Sequence, residues 1–374
     1  MSTTSFTRRQ PQAATPLDDL DLDFSRTVDR LLVHRDALGE VFLTDLRRID
    51  DESYAAAAQL PRSHAYYGDH QLRPSFHDPL LLLEACRQAN LAGAHRFYGV
   101  AEDDKFILTH LRLTLTHLPS LVVGPAPLPL VMRVRVVNRK ERDGRVTGLD
   151  YAIELWVDDT VVGTSEMGLR FKTPTDYLTL RLNNRGGRAL PSSATLPHVT
   201  PGTPVPPHLV GRHAAQNVVL VDAATTGATG HAALRTPADH PSMFDHPQDH
   251  LPGMVIAEGA RQLALFTALD VCGMSAAKVF PTDIDVHFTR FGELEDETVL
   301  TAEANERVRI PSEPTDPGVY YTQGGLLELP ESGEESLWNG GGAALEQLPV
   351  RVEARQRDEL LCVVNLTLTR VSLG

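Results

Sequence analysis

The strongest constraint on the fold is an internal duplication, because a chain that repeats its own signals in the same order builds one structural unit twice. Residues 32–45 read LVHRDALGEVFLTD, and residues 209–222 read LVGRHAAQNVVLVD. Both segments begin with Leu and Val, have Arg at the fourth position, and end with an apolar run that leads to Asp. The segments 78–95 and 251–268 each place Glu, two further residues, Arg and Gln inside a long apolar run. The sequence therefore predicts two copies of one domain.

The segment between the two copies is rich in Pro, Gly, Ser and Thr and has no apolar periodicity, which is typical of a linker. A chain of 374 residues also exceeds what one hydrophobic core usually organises. We expect a flexible N-terminal tail over 1–29, a first domain over 30–180, a linker over 181–207, and a second domain over 208–374 with a loop insertion near 311–342.

Within each copy, one long apolar helix is followed by segments in which apolar and polar residues alternate. Examples are FILTHLRLTLTH over residues 106–117 and ELLCVVNLTLTRV over residues 359–371. Alternation of this kind predicts half-buried strands. One helix and about five antiparallel strands in each half predict an α+β fold, in which a curved sheet wraps around the helix.

Composition excludes several classes of function. A formal net charge of -14 disfavours nucleic-acid binding, which needs a basic surface to neutralise phosphates. The sequence contains no run of 18 uncharged apolar residues, which is the length that a membrane-spanning helix needs. The cysteines Cys86, Cys272 and Cys362 are odd in number and widely spaced, so they fit neither a disulfide framework nor a Cys-based metal site. We expect a cytoplasmic protein without nucleic-acid or membrane partners and without a cofactor.

The second long helix, from Met254 to about Val271, carries ionisable residues although it is apolar almost all round. Glu258, Arg261 and Gln262 lie on one side of it. Burying unpaired charges is costly, so these residues form either a structural ion pair or part of a binding site. The first helix repeats the same pattern with Glu84, Arg87 and Gln88, which favours a functional role.

A loop rich in His and Asp precedes each helix. The loop of the first half contains His64, and that of the second half contains His240, His246 and His250. The spacing of His246 and His250 would suit a metal only on a helix, and the prolines and glycine around them prevent one, so no metal site is predicted. The histidines are either solvated or act in acid/base chemistry with Glu258.

The stretch MFDHPQDHLPGMVIAEGARQ, residues 243–262, resembles the hotdog-fold dehydratase motif, in which a His-Pro loop leads through Pro-Gly into a helix with Glu and Gln. Together with VHRDALGEVFLTD and DPLLLLEACRQANLAGAHRFYGV in the first half, it resembles the A-factor synthase family. Those tandem-hotdog proteins of actinomycetes make γ-butyrolactone or butenolide signalling precursors. The resemblance covers roughly residues 30 to 300.

This resemblance implies a double hotdog fold and an acyltransferase. A β-ketoacyl group would leave an acyl carrier protein thioester and join the hydroxyl of dihydroxyacetone phosphate, giving a lactone, butenolide or furan precursor. The partners would be that carrier protein and dihydroxyacetone phosphate, and either a monomer or a homodimer is compatible with the tandem repeat. The alternatives are a hotdog dehydratase or thioesterase, and a non-catalytic protein that binds an acyl group or a lactone.

The chemistry assigns roles to the repeated residues. Attack of a hydroxyl on a thioester needs a base, for which Glu258 or His246 is the candidate, with Glu84 in the other half. Free amides at Gly253 and Met254 suit an oxyanion. Guanidinium groups suit the phosphate, and the remaining polar residues suit substrate binding. The substrate-binding candidates are Arg261, Gln262, Arg87, Gln88, His240, His250, Gly253, Met254 and His64.

Two departures from the hotdog pattern matter. His246 directly precedes Pro247, so His240 and His250 compete with it for the catalytic role. The first half has Asp78-Pro79 where the second half has Pro252-Gly253, so the two halves are not expected to be equivalent sites. Arg35 and Arg212, at matching positions of the repeat, could bind the phosphate, but we predict that they are surface residues at strand ends.

Overall fold

The computed structural model describes residues 20–196, 201–310, 319–322, 325–328 and 345–371. Most of the predicted tail and most of the predicted insertion lie outside these residues. The first half contains helix α1 (Pro79–Tyr98) and strands β1 (Leu43–Arg48), β2 (Ser53–Leu60), β3 (Lys105–Leu115), β4 (Leu128–Arg142), β5 (Arg145–Val157) and β6 (Thr160–Lys172). Helix α2 (Pro174–Asn184) follows it.

The second half contains helix α3 (Gly253–Cys272) and a second set of strands. These are β7 (Leu220–Thr226), β8 (Thr229–Leu234), β9 (Val279–Phe288), β10 (Thr298–Ala304), β11 (Val308–Ile310), β12 (Val319–Thr322), β13 (Gly325–Glu328), β14 (Leu345–Gln356) and β15 (Glu359–Arg370). Among the described residues, no helix is long and apolar enough to cross a membrane.

One antiparallel sheet runs through both halves, in the order β1-β2-β4-β5-β6-β3-β9-β15-β14-β10-β8-β7, with β11 paired to β14. Each half contributes six strands to this path, and the second half repeats the order of the first in reverse. The halves join where β3 pairs with β9, for example at Leu111 opposite Val286. Helix α1 packs on the strands of the first half and α3 on those of the second. The α+β prediction is confirmed.

Local sequence explains where the two long helices begin and end. The carboxylate of Asp78 accepts from the amide of Leu80 and caps α1, whereas α3 begins after Pro252 with no side-chain cap. Each helix ends at a glycine in the left-handed conformation, Gly99 at φ 66° and Gly273 at φ 64°. The predicted helix from Met254 to about Val271 therefore matches α3 to within a residue at each end.

Helix α2 is the element that the sequence did not predict. It begins with Pro174 and is capped by the Thr173 hydroxyl, which accepts from the amide of Asp176. The predicted boundary between the first domain and the linker falls inside this helix, and Tyr177 and Arg181 on it are buried. The helix is short and only weakly apolar, so the signal of the flanking linker composition obscured it.

Close packing between helix and sheet depends on small residues at the contact. In the first half, a Cβ atom at Gly93 of α1 would overlap the ring of Tyr54 on β2. In the second half the glycine is on the sheet, where Gly230 of β8 faces Thr267 of α3. In each contact, the glycine leaves room for the larger side chain opposite it, so the helix approaches the sheet closely.

We predict that Gly93→Ala lowers the free energy of unfolding by about 1–3 kcal/mol, because the tightly packed Tyr54 ring cannot move aside without strain. Urea denaturation measures the effect. Gly124→Ala is the matched control, since no atom lies within 4 Å of the added Cβ, and its change should stay within about 0.5 kcal/mol. Equal stability of both variants would contradict the packing argument.

Candidate active site

The carboxylate of Glu84 on α1 is fully buried and holds two guanidinium groups. Its Oε1 accepts from Arg35 Nη2 at 2.7 Å, and its Oε2 accepts from Arg87 Nε at 2.8 Å. The amide of Gln88 also donates to it at 2.8 Å. Burial alone would raise the pKa of Glu84, but the charges of Arg35 and Arg87 outweigh this effect and lower the pKa to about 2.

Glu258 on α3 sits in a matching cluster. Arg212 donates to its Oε1 at 2.8 Å, Arg261 donates to its Oε2, and Gln262 donates to its Oε1. Arg212 also donates to the carbonyls of residues 66 and 69, and its side chain is 1% exposed. The prediction that Arg35 and Arg212 lie on the surface is wrong, because each is the second guanidinium that a buried glutamate needs.

The His-Asp loops exchange contacts between the halves. Asp245 accepts from the amides of Asp36 at 2.6 Å and Ala37 at 2.9 Å. Both amides belong to residues 34–37, the repeat turn of the first half, whose counterpart in the second half is residues 211–214. In the same way Asp69 accepts from the amide of His213 at 3.0 Å in the turn of the second half. Each half therefore fixes the loop of the other, which places residues from both halves around one space.

His64 and His240 hold these loops in shape. Nδ1 of His240 accepts from the amides of Ser242 and Met243, both at 3.2 Å, so its Nε2 donates to Asn217 Oδ1 at 2.8 Å. His64 makes the equivalent contacts with the amides of residues 66 and 67 and with Glu40. Burial, followed by nearby arginines, lowers the pKa of His240 to about 4. Both ring nitrogens of each histidine are occupied.

A cavity of about 1570 Å³ opens between the halves. It is large enough for an acyl chain and a small co-substrate, since typical ligand cavities hold about 300–1000 Å³. Its described polar lining includes Arg35, Arg87, Asp245, His246, Asp249 and His250, and the start of α3 contributes Gly253 and Met254. Apolar side chains cover much of the remaining wall, among them Leu91, Phe106, Leu108, Ile256 and Phe288. The described lining includes neither Glu84 nor Glu258.

A second cavity of about 40 Å³ occupies the matching position in the other half. Arg261 lines it, but there Arg261 donates to Asp78 Oδ1 at 2.6 Å as well as to Glu258. This cluster holds two guanidinium groups, from Arg261 and Arg212, and two carboxylates. The Glu84 cluster holds two guanidinium groups and one carboxylate, so this cluster, whose arginines line the large cavity, carries one positive charge in excess.

The start of α3 at the large cavity and the start of α1 at the small cavity also differ, in the number of free amide donors. The amides of Val255 and Ile256 both donate to the carbonyl of Pro252. The amides of Gly253 and Met254 are left without an acceptor among the described residues. At α1 the first residue is Pro79, which has no N–H, and the Asp78 carboxylate takes the next amide. Free amide donors of a helix start thus face the large cavity, whose lining includes Gly253, and are lacking at the small one.

Two Asp–His pairs lie in the large cavity. Nδ1 of His246 is 3.3 Å from Asp245 Oδ2, and the side-chain amide of Gln248 donates to Nε2 of His246 at 2.6 Å. Nδ1 of His250 is 2.6 Å from Asp249 Oδ1, and no hydrogen bond to its Nε2 is found among the described residues. The second pair therefore has the shorter contact and the free ring nitrogen.

The structure distributes the site residues that were predicted from the sequence over two cavities and the backbone contacts of the helices. His246, His250, Arg87, Gly253 and Met254 line one cavity. Arg261 lines the other, so it does not share a cavity with His246. The two glutamines serve the backbone: Gln88 accepts from the amide of residue 42, and Gln262 accepts from the amide of residue 219, both at 2.9 Å. Across the part of the chain that is described, no group of His, Cys, Asp or Glu could hold a metal ion.

Sequence reasoning missed Tyr177 and Arg181 of α2, which contact Asp249 beside His250. They lie at the predicted linker boundary, and nothing in their spacing pointed to the loop some 70 residues away. It also missed His34, which lines the large cavity beside His95. Its one available signal was that His34 replaces the glycine found at position 211 of the repeat.

A continuous antiparallel sheet wrapped around two long helices, with a cavity built by loops of both halves, defines a tandem hotdog protein. The A-factor biosynthesis hotdog domain matches residues 18–173 and 195–323. The chain therefore belongs to this A-factor biosynthesis hotdog family.

Curated relatives match most of the chain. A "2-oxo-3-(phosphooxy)propyl 3-oxoalkanoate synthase" of Streptomyces virginiae is 32% identical over 304 residues, 79% of this chain and 95% of the relative. A protein of the same name from Streptomyces coelicolor is 31% identical over 271 residues, 72% of this chain and 79% of the relative. The pyran synthase domain from module nine of the sorangicin pathway superimposes with a TM-score of 0.46 at 12% identity, over 88% of this chain and 98% of that one.

We predict that Glu84→Gln lowers the free energy of unfolding by about 3 kcal/mol at pH 7, because the buried guanidinium of Arg35 and the half-buried guanidinium of Arg87 lose their counter-charge. The pKa of Glu84 is depressed to about 2, so its stabilisation is present above the unfolded value of 4.5 and is lost as the pH falls toward 2. Urea denaturation at several pH values should show the difference from wild type shrinking over that window. Glu303→Gln, at an exposed site, is the control.

Proposed function

We propose that this protein is an acyltransferase that joins a 3-oxoacyl group from a carrier-protein thioester to the hydroxyl of dihydroxyacetone phosphate. The name of the relatives describes an ester of these two parts: a 3-oxoalkanoate and a phosphorylated three-carbon ketone. One observation carries the assignment of the site. The large cavity combines a surplus guanidinium charge, two Asp–His pairs and the uncapped start of α3 with an apolar wall.

The phosphate group would bind at Arg87 and Arg35. Both side chains line the cavity, and they share the single negative charge of Glu84. Arg87 uses Nε and Nη2 for Glu84, so its Nη1 remains available for a phosphate oxygen. The glutamate would serve to hold both guanidinium groups in place, in the role of a buried counter-ion and not of a base.

His250 is the base that the geometry favours over the sequence candidates Glu258 and His246. Glu258 accepts hydrogen bonds from two arginines and a glutamine, so its lone pairs are engaged. Nε2 of His246 already accepts from Gln248. The carboxylate of Asp249 would keep the proton of neutral His250 on Nδ1, which leaves the Nε2 lone pair for the substrate hydroxyl.

In the resulting reaction, the hydroxyl oxygen of dihydroxyacetone phosphate attacks the thioester carbonyl carbon as His250 Nε2 accepts the hydroxyl proton. The carbonyl oxygen becomes an oxyanion, which the amides of Gly253 and Met254 would stabilise. Collapse of this intermediate reforms the carbonyl and breaks the carbon–sulfur bond. The imidazolium then returns the proton to the thiolate, and the products are the 3-oxoacyl ester and the free carrier thiol.

Only the large cavity would act as a site. The small cavity has no surplus cation, since Asp78 takes Arg261, and no free amides at its helix start, since Asp78 and Pro79 occupy it. Its volume of about 40 Å³ holds little more than a water molecule. The duplication would thus provide one catalytic site and one structural copy of it.

The proposal is tested with purified protein, a 3-oxoacyl thioester, and dihydroxyacetone phosphate present or absent, with products followed by mass spectrometry. We expect a phosphorylated ester, or the product of its cyclisation, only when both substrates are present. Free acid without dihydroxyacetone phosphate would point to a thioesterase instead, and an enoyl thioester would point to a dehydratase.

We predict that His250→Gln lowers kcat by about 100-fold or more, as expected for loss of a general base, and leaves the KM for dihydroxyacetone phosphate nearly unchanged. His246→Gln is the matched comparison, because it removes the histidine of the other Asp–His pair in the same cavity. Steady-state kinetics separate the two. A large loss of kcat in His246→Gln with little change in His250→Gln would reverse the assignment.

The arginine pair of the repeat offers a second test. Arg87→Met leaves Glu84 paired one-to-one with Arg35, so we expect a folded protein whose KM for dihydroxyacetone phosphate rises about 10-fold or more. Arg261→Met leaves Glu258 and Asp78 with one guanidinium, so we expect a loss of about 3 kcal/mol in stability and an unchanged KM. Kinetics together with urea denaturation measure both; a rise of KM in Arg261→Met alone would contradict the single site.

A further inference from the structure

Helix α2, between the two halves, contacts the Asp249–His250 pair through two side chains. The hydroxyl of Tyr177 donates to the Asp249 carboxylate, with distances of 2.9 Å to Oδ1 and 3.1 Å to Oδ2. Arg181 Nε donates to Asp249 Oδ2 at 3.3 Å, and Arg181 Nη2 donates to the backbone carbonyl of Asp249 at 3.0 Å. Both the side chain and the backbone of Asp249 are therefore fixed by α2.

The guanidinium of Arg181 is held rigidly. It is 0% exposed, and it donates to Glu293 Oε1 at 2.7 Å and Oε2 at 3.0 Å. It also lies 4.5 Å from the ring centroid of Phe291, whose edge meets the His250 ring at a centroid distance of 5.1 Å. One buried side chain thus links the aromatic neighbour of His250 to the carboxylate partner of His250.

We propose that Tyr177 and Arg181 are positioning residues for the Asp249–His250 pair, so that the segment joining the two halves belongs to the catalytic machinery. This inference rests on the proposed function, in which His250 is the base. Neither side chain needs to touch the substrate. Both act through Asp249, by setting the direction of the His250 ring and the share of negative charge that the carboxylate offers to it.

The charges around His250 determine the sign of the effect. Among the described residues, Asp249 and Tyr177 hydrogen-bond the His250 ring, Arg181 bonds Asp249, and Glu293 is reached through Arg181. Burial opposes ionisation of Asp249, but its hydrogen bond to His250, with further help from Tyr177 and Arg181, lowers its pKa to about 2, so it is ionised at working pH. Removing a donor from this carboxylate strengthens its hold on the His250 proton.

The small cavity, whose described lining has no Asp–His pair, is also not lined by Tyr177 or Arg181. Its described lining comes from the first-half loop, the start of α1, the turn at residues 210–212, α3, Ala276 and β9, with no residue of α2. Positioning by α2 thus occurs only at the cavity that holds the two Asp–His pairs. Of the two Asp–His pairs, α2 therefore contacts the one whose histidine has no hydrogen bond to Nε2 among the described residues.

The test uses Tyr177→Phe and Arg181→Lys in the full chain, with Arg185→Lys as the control. Arg185 is the residue that directly follows the same helix and caps its end; it is buried, but it pairs with Glu293 and Glu295 and not with Asp249. The readout is the pH dependence of kcat/KM with a 3-oxoacyl thioester and dihydroxyacetone phosphate. We expect the acid limb to move to higher pH and kcat to fall by about 10-fold in the two test variants, with KM and the control profile unchanged.

The outcomes are distinct from those of the proposed function. If wild type forms no ester from the two substrates, the acyltransferase proposal fails before the variants matter. If wild type is active and both test variants keep the wild-type pH profile and kcat, or if Arg185→Lys moves the profile as much as they do, the positioning role is overturned. Thermal melting confirms that each variant is folded, and a shift in either one of Tyr177→Phe and Arg181→Lys with an unchanged control supports the role.

Discussion

The architecture depends on a buried carboxylate in the second turn of each long helix, which pairs with two guanidinium groups. Glu84 and Glu258 each pair with one arginine of their own helix and one from the repeat turn before the first strand of the same half. A buried glutamate without such partners would be strongly unfavourable, so helix and turn are fixed together. Because the turn also supplies the amides that hold the loop of the other half, this ion cluster connects the two halves.

Divergence of the two clusters explains how a symmetric framework holds an asymmetric site. One added carboxylate, Asp78, neutralises the surplus charge in the second-half cluster and caps α1, and Pro79 removes a further amide. The other cluster keeps its extra positive charge next to the uncapped start of α3. The positive excess of the Glu84 cluster, the free amides and the cavity space therefore occur together at one cavity, and all three are lost or reduced at the other.

Much of the fold could be predicted from the sequence, because the duplication, the apolar helices and the alternating strands are local patterns. The E-x-x-R-Q repeat on each helix marked the ion clusters correctly, since a buried helix with charges must satisfy them. The base could not be chosen among Glu258, His246 and His250, because the choice depends on which lone pairs are free. Helix α2 was missed because its composition resembles that of the linker around it.

The sequence by itself determined that one unit occurs twice, that each unit places Glu, Arg and Gln on a buried helix where the charges need partners, and that the helix starts of the two units differ. These are properties of neighbouring residues and of their period along the chain. The tertiary structure alone decided that Arg87 shares a cavity with His246 and His250 while Arg261 does not, and that α2 supports Asp249. Such groupings join residues some 70 to 180 positions apart, and only the pairing of β3 with β9 and the exchange of loops between the halves bring them together.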